Sequence, residues 1–206
     1  MEQFSTEEQQ VEAIKQFWKE NGVAIVIGAV IGLGGLWGWR YYNEQAIQAK
    51  EATSKGYEQV ITALDASDDG FSKVSQFIEA NNDSSYSLFA ALQLAKKAVD
   101  VKDYAEAAKQ LTWANNHATD TNLKNIVGLR LARIQIQQQQ YDEALATLDG
   151  INDESFAANV AEVKGDVYSR QGKIDQARAA YSLAIEKNAG SPLLQVKLDN
   201  LAAVSA

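Results

Sequence analysis

The chain has no cysteine, one histidine and one proline among its 206 residues. Without cysteine there is no disulfide, no thiolate metal site and no cysteine nucleophile. A single histidine excludes a histidine-rich metal cluster. A single proline, in a chain rich in Ala, Gln, Leu and Glu, leaves long stretches free to be helical, so an all-α fold is expected. Positive charge is also scarce: 19 Lys and Arg face 27 Asp and Glu, a net charge of −8. That excludes an ordinary nucleic-acid binder, which needs a basic face to displace counterions from phosphate. Hydrophobic residues make up 46%, enough to bury the core of one domain with an appendage.

Catalytic patterns are missing too. His117 sits in Asn115-Asn116-His117-Ala118-Thr119 with no paired carboxylate at helical spacing, which reads as a solvated turn between helices. The pairs Asp142-Glu143 and Asp153-Glu154 open helices, where they suit the dipole. No glycine-rich phosphate loop stands between a strand and a helix. The expectation is a protein that is not an enzyme and needs no cofactor or metal.

What is present is unevenly spread. Between Glu20 and Arg40 lie nineteen uncharged residues, NGVAIVIGAVIGLGGLWGW. At about 1.5 Å per residue, a helix over Gly22–Trp39 is roughly 27 Å long, close to the hydrocarbon thickness of a bilayer. Phe17 and Trp18 precede it; Trp37, Trp39, Tyr41 and Tyr42 close it, the aromatic belts of a membrane span. With a long acidic lead-in and no small-residue cleavage site, the stretch reads as an uncleaved anchor over residues 22–42. Gly28, Gly32 and Gly35 fall on one face and would admit a second membrane helix closely. Lys15 and Lys19 before the span, against Arg40, Lys50 and Lys55 after it, leave its orientation undecided by charge. Residues 1–21 form a short segment with a capping box at Ser5-Thr6-Glu7-Glu8 and apolar Val11, Ile14, Phe17 and Trp18 at helical spacing.

Residues 43–83 form a helical spacer broken at Asp68-Asp69-Gly70, with Phe71, Val74, Phe77 and Ile78 on one face of its second helix. From residue 84 to 190 the chain repeats about three times. Ala95, Ala132 and Gly165 each precede an alanine (Ala107, Ala144, Ala177) by twelve positions, and Leu111, Leu148 and Tyr181 follow one turn on. The offsets between units are 37 and 33 residues. Small residues at both places let two antiparallel helices cross closely, and the large residue fills the wedge, as in a stacked solenoid. Residues 191–206 read as a capping helix begun by Ser191-Pro192.

The third unit resembles a tetratricopeptide repeat (TPR) most fully, through Gly165, Tyr168, Gly172, Ala177, Tyr181 and Ala184; in the second, Gln135 replaces the aromatic residue, and Pro192 lies three residues past its usual place. The whole layout resembles the YfgM-type family, the ancillary subunit of the bacterial SecYEG translocon: an acidic N-terminal segment, a glycine-rich anchor closed by GWRYYN, a helical spacer, then divergent repeats that include LRLARIQ at 129–135. That resemblance implies an inner-membrane protein with one transmembrane helix, its N-terminus cytoplasmic and its TPR-like α-solenoid periplasmic. It implies partners in the SecYEG translocon and a membrane-anchored periplasmic chaperone of the PpiD type, and a part in passing newly translocated proteins, the unfolded secretory clients, to periplasmic folding factors. The alternatives are a repeat adaptor for other envelope machinery, or a stress-response regulator acting through the N-terminal segment.

Taking the small residue as register, the concave groove should be lined by Phe89, Leu92, Lys96 and Val99 in the first unit. Ile126, Leu129, Arg133 and Ile136 follow in the second, and Asn159, Glu162, Asp166, Ser169 and Arg170 in the third. Such a groove suits a helix or an extended peptide. The sequence leaves open whether Tyr57–Leu64 and Phe71–Ile78 already fill it. On the open-groove reading, Leu129→Asp removes partner binding and spares the fold.

Overall fold

The computed structural model describes residues 7–67, 69–188 and 191–204. Among them there are helices and turns and no strand. The capping-box residues Ser5 and Thr6 lie outside the described residues. The chain divides into two compact units, Met1–Ala52 and Thr53–Ala206.

In the first unit the dominant element is helix α1, which starts at Glu7 and runs to Ala66. It contains an apolar window of eighteen residues with mean hydropathy 1.8, long and apolar enough to cross a membrane. Trp37 and Tyr41, one turn apart, stack with ring centroids 5.9 Å apart. Gly22 lies against the Trp18 indole, but a Cβ added at Gly28, Gly32 or Gly35 would meet nothing within 4 Å. Among the described residues, no contact therefore requires glycine at those three places.

The second unit begins with the last turns of α1. Then come α2 (Gly70–Ala80), α3 (Ser85–Asp100), α4 (Tyr104–His117), α5 (Thr121–Gln137), α6 (Tyr141–Asp149), α7 (Ala157–Arg170), α8 (Ile174–Lys187) and α9 (Pro192–Val204). Glycine is needed where α2 starts: a Cβ on Gly70 would sit 2.6 Å from the Ala63 carbonyl oxygen. Side-chain caps start several helices, with Ser84 accepting from the Tyr86 N–H, Asp103 from Glu106 and Asp120 from Leu123.

The hairpins are α3–α4, α5–α6 and α7–α8, and neighbouring helices pack in chain order, with α5 also against α7. Each hairpin turns at an equivalent residue in the left-handed region: Lys102 (φ 64°), Gln139 (φ 62°) and Gly172 (φ 72°). The next N–H donates back to the final turn of the preceding helix, Asp103 to Ala98, Gln140 to Gln135 and Lys173 to Tyr168, at 2.8, 2.8 and 2.9 Å. This is a Schellman closure three times over. The small residues predicted to meet at the crossings are buried in all three hairpins.

Three apolar clusters follow one another along the stack. The first joins Leu64, Val74, Phe77 and Ile78 to Leu94, Leu111, Val127 and Leu131. The second joins Leu129, Ile136 and Leu148 to Val163 and Val167. The third joins Ala161, Ala177 and Tyr181 to Leu194 and Leu201, so α9 closes the last hairpin with apolar surface of its own.

Candidate functional site

Helices α3, α5 and α7 are the first helices of the three hairpins, and two cavities open along them. The larger, of about 550 Å³, has a mainly apolar wall of Tyr57, Phe89, Leu92, Val99, Leu111 and Ile134, with Lys96, Arg130 and Arg133 among its polar groups. The smaller, of about 300 Å³, is bounded by Arg133, Ile136, Asp166, Ser169, Arg170 and Lys197. Arg133 borders both.

The sequence reading thus brings Phe89, Leu92, Lys96, Val99 and Arg133 to the first cavity, and Arg133, Ile136, Asp166, Ser169 and Arg170 to the second. Ile126, Asn159 and Glu162 border neither. Leu129 is a correction: it is only 5% exposed and packs with Val163 and Val167 of α7. The reason is that α5 is covered by α4, α6 and α7, which leaves a narrow outer stripe at Ile126, Arg130, Arg133 and Gln137. That stripe follows i, i+4, i+7, i+11, a small rotation from the expected one. Arg130 was missed for this reason. Its signal was present, since a cation inside the apolar run LRLARI marks the side that faces water.

Neither Tyr57–Leu64 nor Phe71–Ile78 fills the larger cavity. Phe77 and Ile78 of α2 belong to the first core cluster, and Tyr57 stands beside Tyr86 and Phe77 with centroids 5.6 and 6.5 Å away. Tyr57 makes a wall, and Phe89 at the mouth stays 48% exposed.

The third unit is different. Lys197 of α9 reaches Glu162 at 2.8 Å and Asp166 at 2.7 Å, and the Tyr181 hydroxyl donates to Asp166 at 2.7 Å. Burial alone would pull the Lys197 ammonium down, but hydrogen bonds to Asp166 and Glu162 outweigh it and hold the group above its ordinary value. Burial, then the hydrogen bond to Asp166, raises the Tyr181 phenol. Glu162 and Asp166 are therefore bound within the chain, and α9 latches onto the stripe that the sequence assigned to the groove.

His117 ends α4, exposed, with its ring 4.0 Å from the Trp113 ring and its Nδ1 2.8 Å from the Trp113 carbonyl oxygen. Among the described residues no group of three or more His, Asp and Glu is placed to hold a metal ion. The cavities offer apolar walls, guanidinium groups and the ammonium groups of Lys96 and Lys197, which is the chemistry of recognition.

Comparison with known proteins agrees with this geometry. The family profile of the tetratricopeptide repeat-like domain matches residues 15–203. The protein named ancillary SecYEG translocon subunit of Escherichia coli (strain K12) is 36% identical over 204 residues, covering 98% of this chain and 99% of that one. Its namesake in Haemophilus influenzae is also 36% identical, over 95% of this chain and 97% of the other. Among solved structures, MamA 41-end from Desulfovibrio magneticus RS-1 superposes with a TM-score of 0.57 over 74% of this chain and 85% of its own, at 13% identity. That likeness speaks for the fold alone.

Proposed function

Because the chain belongs to the family of ancillary SecYEG translocon subunits, with a tetratricopeptide repeat-like domain, we propose that it is a membrane-anchored adaptor that works beside the Sec translocon. It does so by binding proteins and not by catalysis. The observation that carries this reading is the full-length match to translocon subunits at 36% identity. The apolar window of α1 supplies the membrane anchor. The unfilled cavity along α3 and α5 supplies a surface for a partner.

The N-terminus is cytoplasmic and the repeat domain periplasmic, in the inner membrane. The partners are the SecYEG translocon and a membrane-anchored chaperone of the PpiD type, and unfolded secretory clients pass from there to periplasmic folding factors. The face of Gly28, Gly32 and Gly35, where added Cβ atoms would meet none of the described residues within 4 Å, receives a helix of another membrane protein.

Co-purification from detergent-solubilised membranes tests this. A tagged chain should retain SecYEG and the chaperone, and Gly32→Leu should reduce that retention while the repeat domain keeps its helicity. Protease added outside spheroplasts should digest the repeat domain and leave an N-terminal tag intact. Retention of neither partner, or a repeat domain shielded from protease, would overturn the proposal.

A further inference from the structure

The charge of the repeat unit is unevenly placed. Residues 53–206 carry fifteen Lys and Arg against twenty Asp and Glu, so the unit is acidic. The groove reverses that sign. Lys96, Arg130, Arg133, Arg170 and Lys197 border the two cavities, against Asp100 and Asp166. Lys197 is spoken for by Glu162 and Asp166. Arg130, Arg133 and Arg170 are exposed and make no ion pair within 4 Å among the described residues, whereas Arg178, outside the groove, pairs with Asp175 at 3.2 Å. Holding three guanidiniums unpaired along the two cavities, Arg130 and Arg133 at the first and Arg133 and Arg170 at the second, in a domain with acids to spare, leaves a demand for carboxylates from elsewhere.

The two cavities differ in kind and meet at Arg133. The first takes apolar side chains, against Phe89, Leu92 and Val99. The second offers polar and cationic groups. We propose that together they form one docking groove for an apolar partner segment studded with acidic side chains, its apolar residues filling the first cavity and its carboxylates pairing with Arg130, Arg133 and Arg170. This deepens the adaptor reading and rests on it, because it names the chemistry of the segment the groove receives. Bidentate guanidinium–carboxylate pairs beside a partly desolvated wall fix the register of such a segment, while the apolar contacts supply most of the affinity.

The test uses the full chain in nanodiscs of zwitterionic lipid, with empty nanodiscs subtracted. The probes are three fluorescent peptides of about sixteen residues, long enough for four helical turns. One has Leu and Glu at helical spacing, one has Lys for Glu, and one has Ser for Leu. The Leu/Glu peptide should bind at least about tenfold more tightly than either of the others, and salt near 0.5 M should weaken it. Arg133→Glu should weaken it by about tenfold or more. Lys124→Glu, the same charge change on an exposed α5 residue that borders neither cavity, should leave it within about twofold. Thermal melts of both variants should match the parent, since both residues are exposed and unpaired. No binding of the Leu/Glu peptide, equal binding of the Lys peptide, or equal loss in the two variants would overturn the proposal. So would self-association of the chain that Arg133→Glu abolishes while no peptide binds. If the chain still retains SecYEG when the peptides fail, the adaptor reading stands and this inference alone falls.

Discussion

The Tyr181 ring occupies the space in which a side chain on Gly165 would begin: a Cβ there would lie 2.4 Å from two of the ring carbons. In the other two hairpins the equivalent pairs are Ala95 with Leu111 and Ala132 with Leu148, all buried. The third crossing has moved volume from one side of the contact to the other.

Gly165→Ala should therefore destabilise the repeat domain by about 1–3 kcal/mol through overpacking. Combining it with Tyr181→Leu, which rebuilds the pair used in the first two hairpins, should recover part of that loss. A double-mutant cycle by denaturant unfolding checks this, and additive effects would contradict it.

The turn residues give a second prediction. Lys102 and Gln139 adopt the left-handed backbone that Gly172 adopts at the same place. Lys102→Gly and Gln139→Gly should each stabilise by about 0.5–1 kcal/mol, whereas Gly172→Ala should cost about 1 kcal/mol. Shifts of urea midpoint, with an unchanged slope, are the measurement.

The α9 latch predicts alkaline sensitivity. Lys197 and Tyr181 are both raised in the folded protein. The folded state then keeps protons that the unfolded chain loses above about pH 10, so stability falls as pH rises through that range. Melting temperature should be level from pH 8 to about 9.5 and drop beyond it. In Lys197→Met the drop should be shallower, with a loss of about 1–3 kcal/mol at neutral pH from leaving Glu162 and Asp166 unpaired. An equal drop in parent and variant would refute the latch.

Burial separates two residues that the sequence assigned alike to the groove. Leu129→Asp places a charge in the second core cluster and should cost about 3–5 kcal/mol. It unfolds the site it was meant to probe. Phe89→Asp, at the mouth of the larger cavity, should cost less than about 1 kcal/mol. Circular dichroism melts compare the two.

These differences show where the sequence was legible. The hairpins could be read because each crossing needs a small residue against a small residue, and that need recurs at offsets of 37 and 33. The groove was legible in α3, where Phe89, Leu92, Lys96 and Val99 all reach the first cavity. It failed by a fraction of a turn in α5, because a single repeat does not reveal that α7 covers Leu129. The bond from Lys197 to Asp166 spans 31 residues and joins a helix read as a cap to a stripe read as a surface. No local pattern announces it, since a lysine on a terminal helix is ordinarily a solvated one.

We propose that the groove along α3 and α5 is where this chain docks a partner, the translocon or the proposed membrane-anchored chaperone. In-cell photo-crosslinking with a probe at Phe89 or Arg130, against one at exposed Leu183 on α8, tests it most directly. Adducts with a translocon or chaperone subunit from the two groove positions, and none from Leu183, are the predicted result. Adducts from Leu183 alone, or none from the groove, would contradict it.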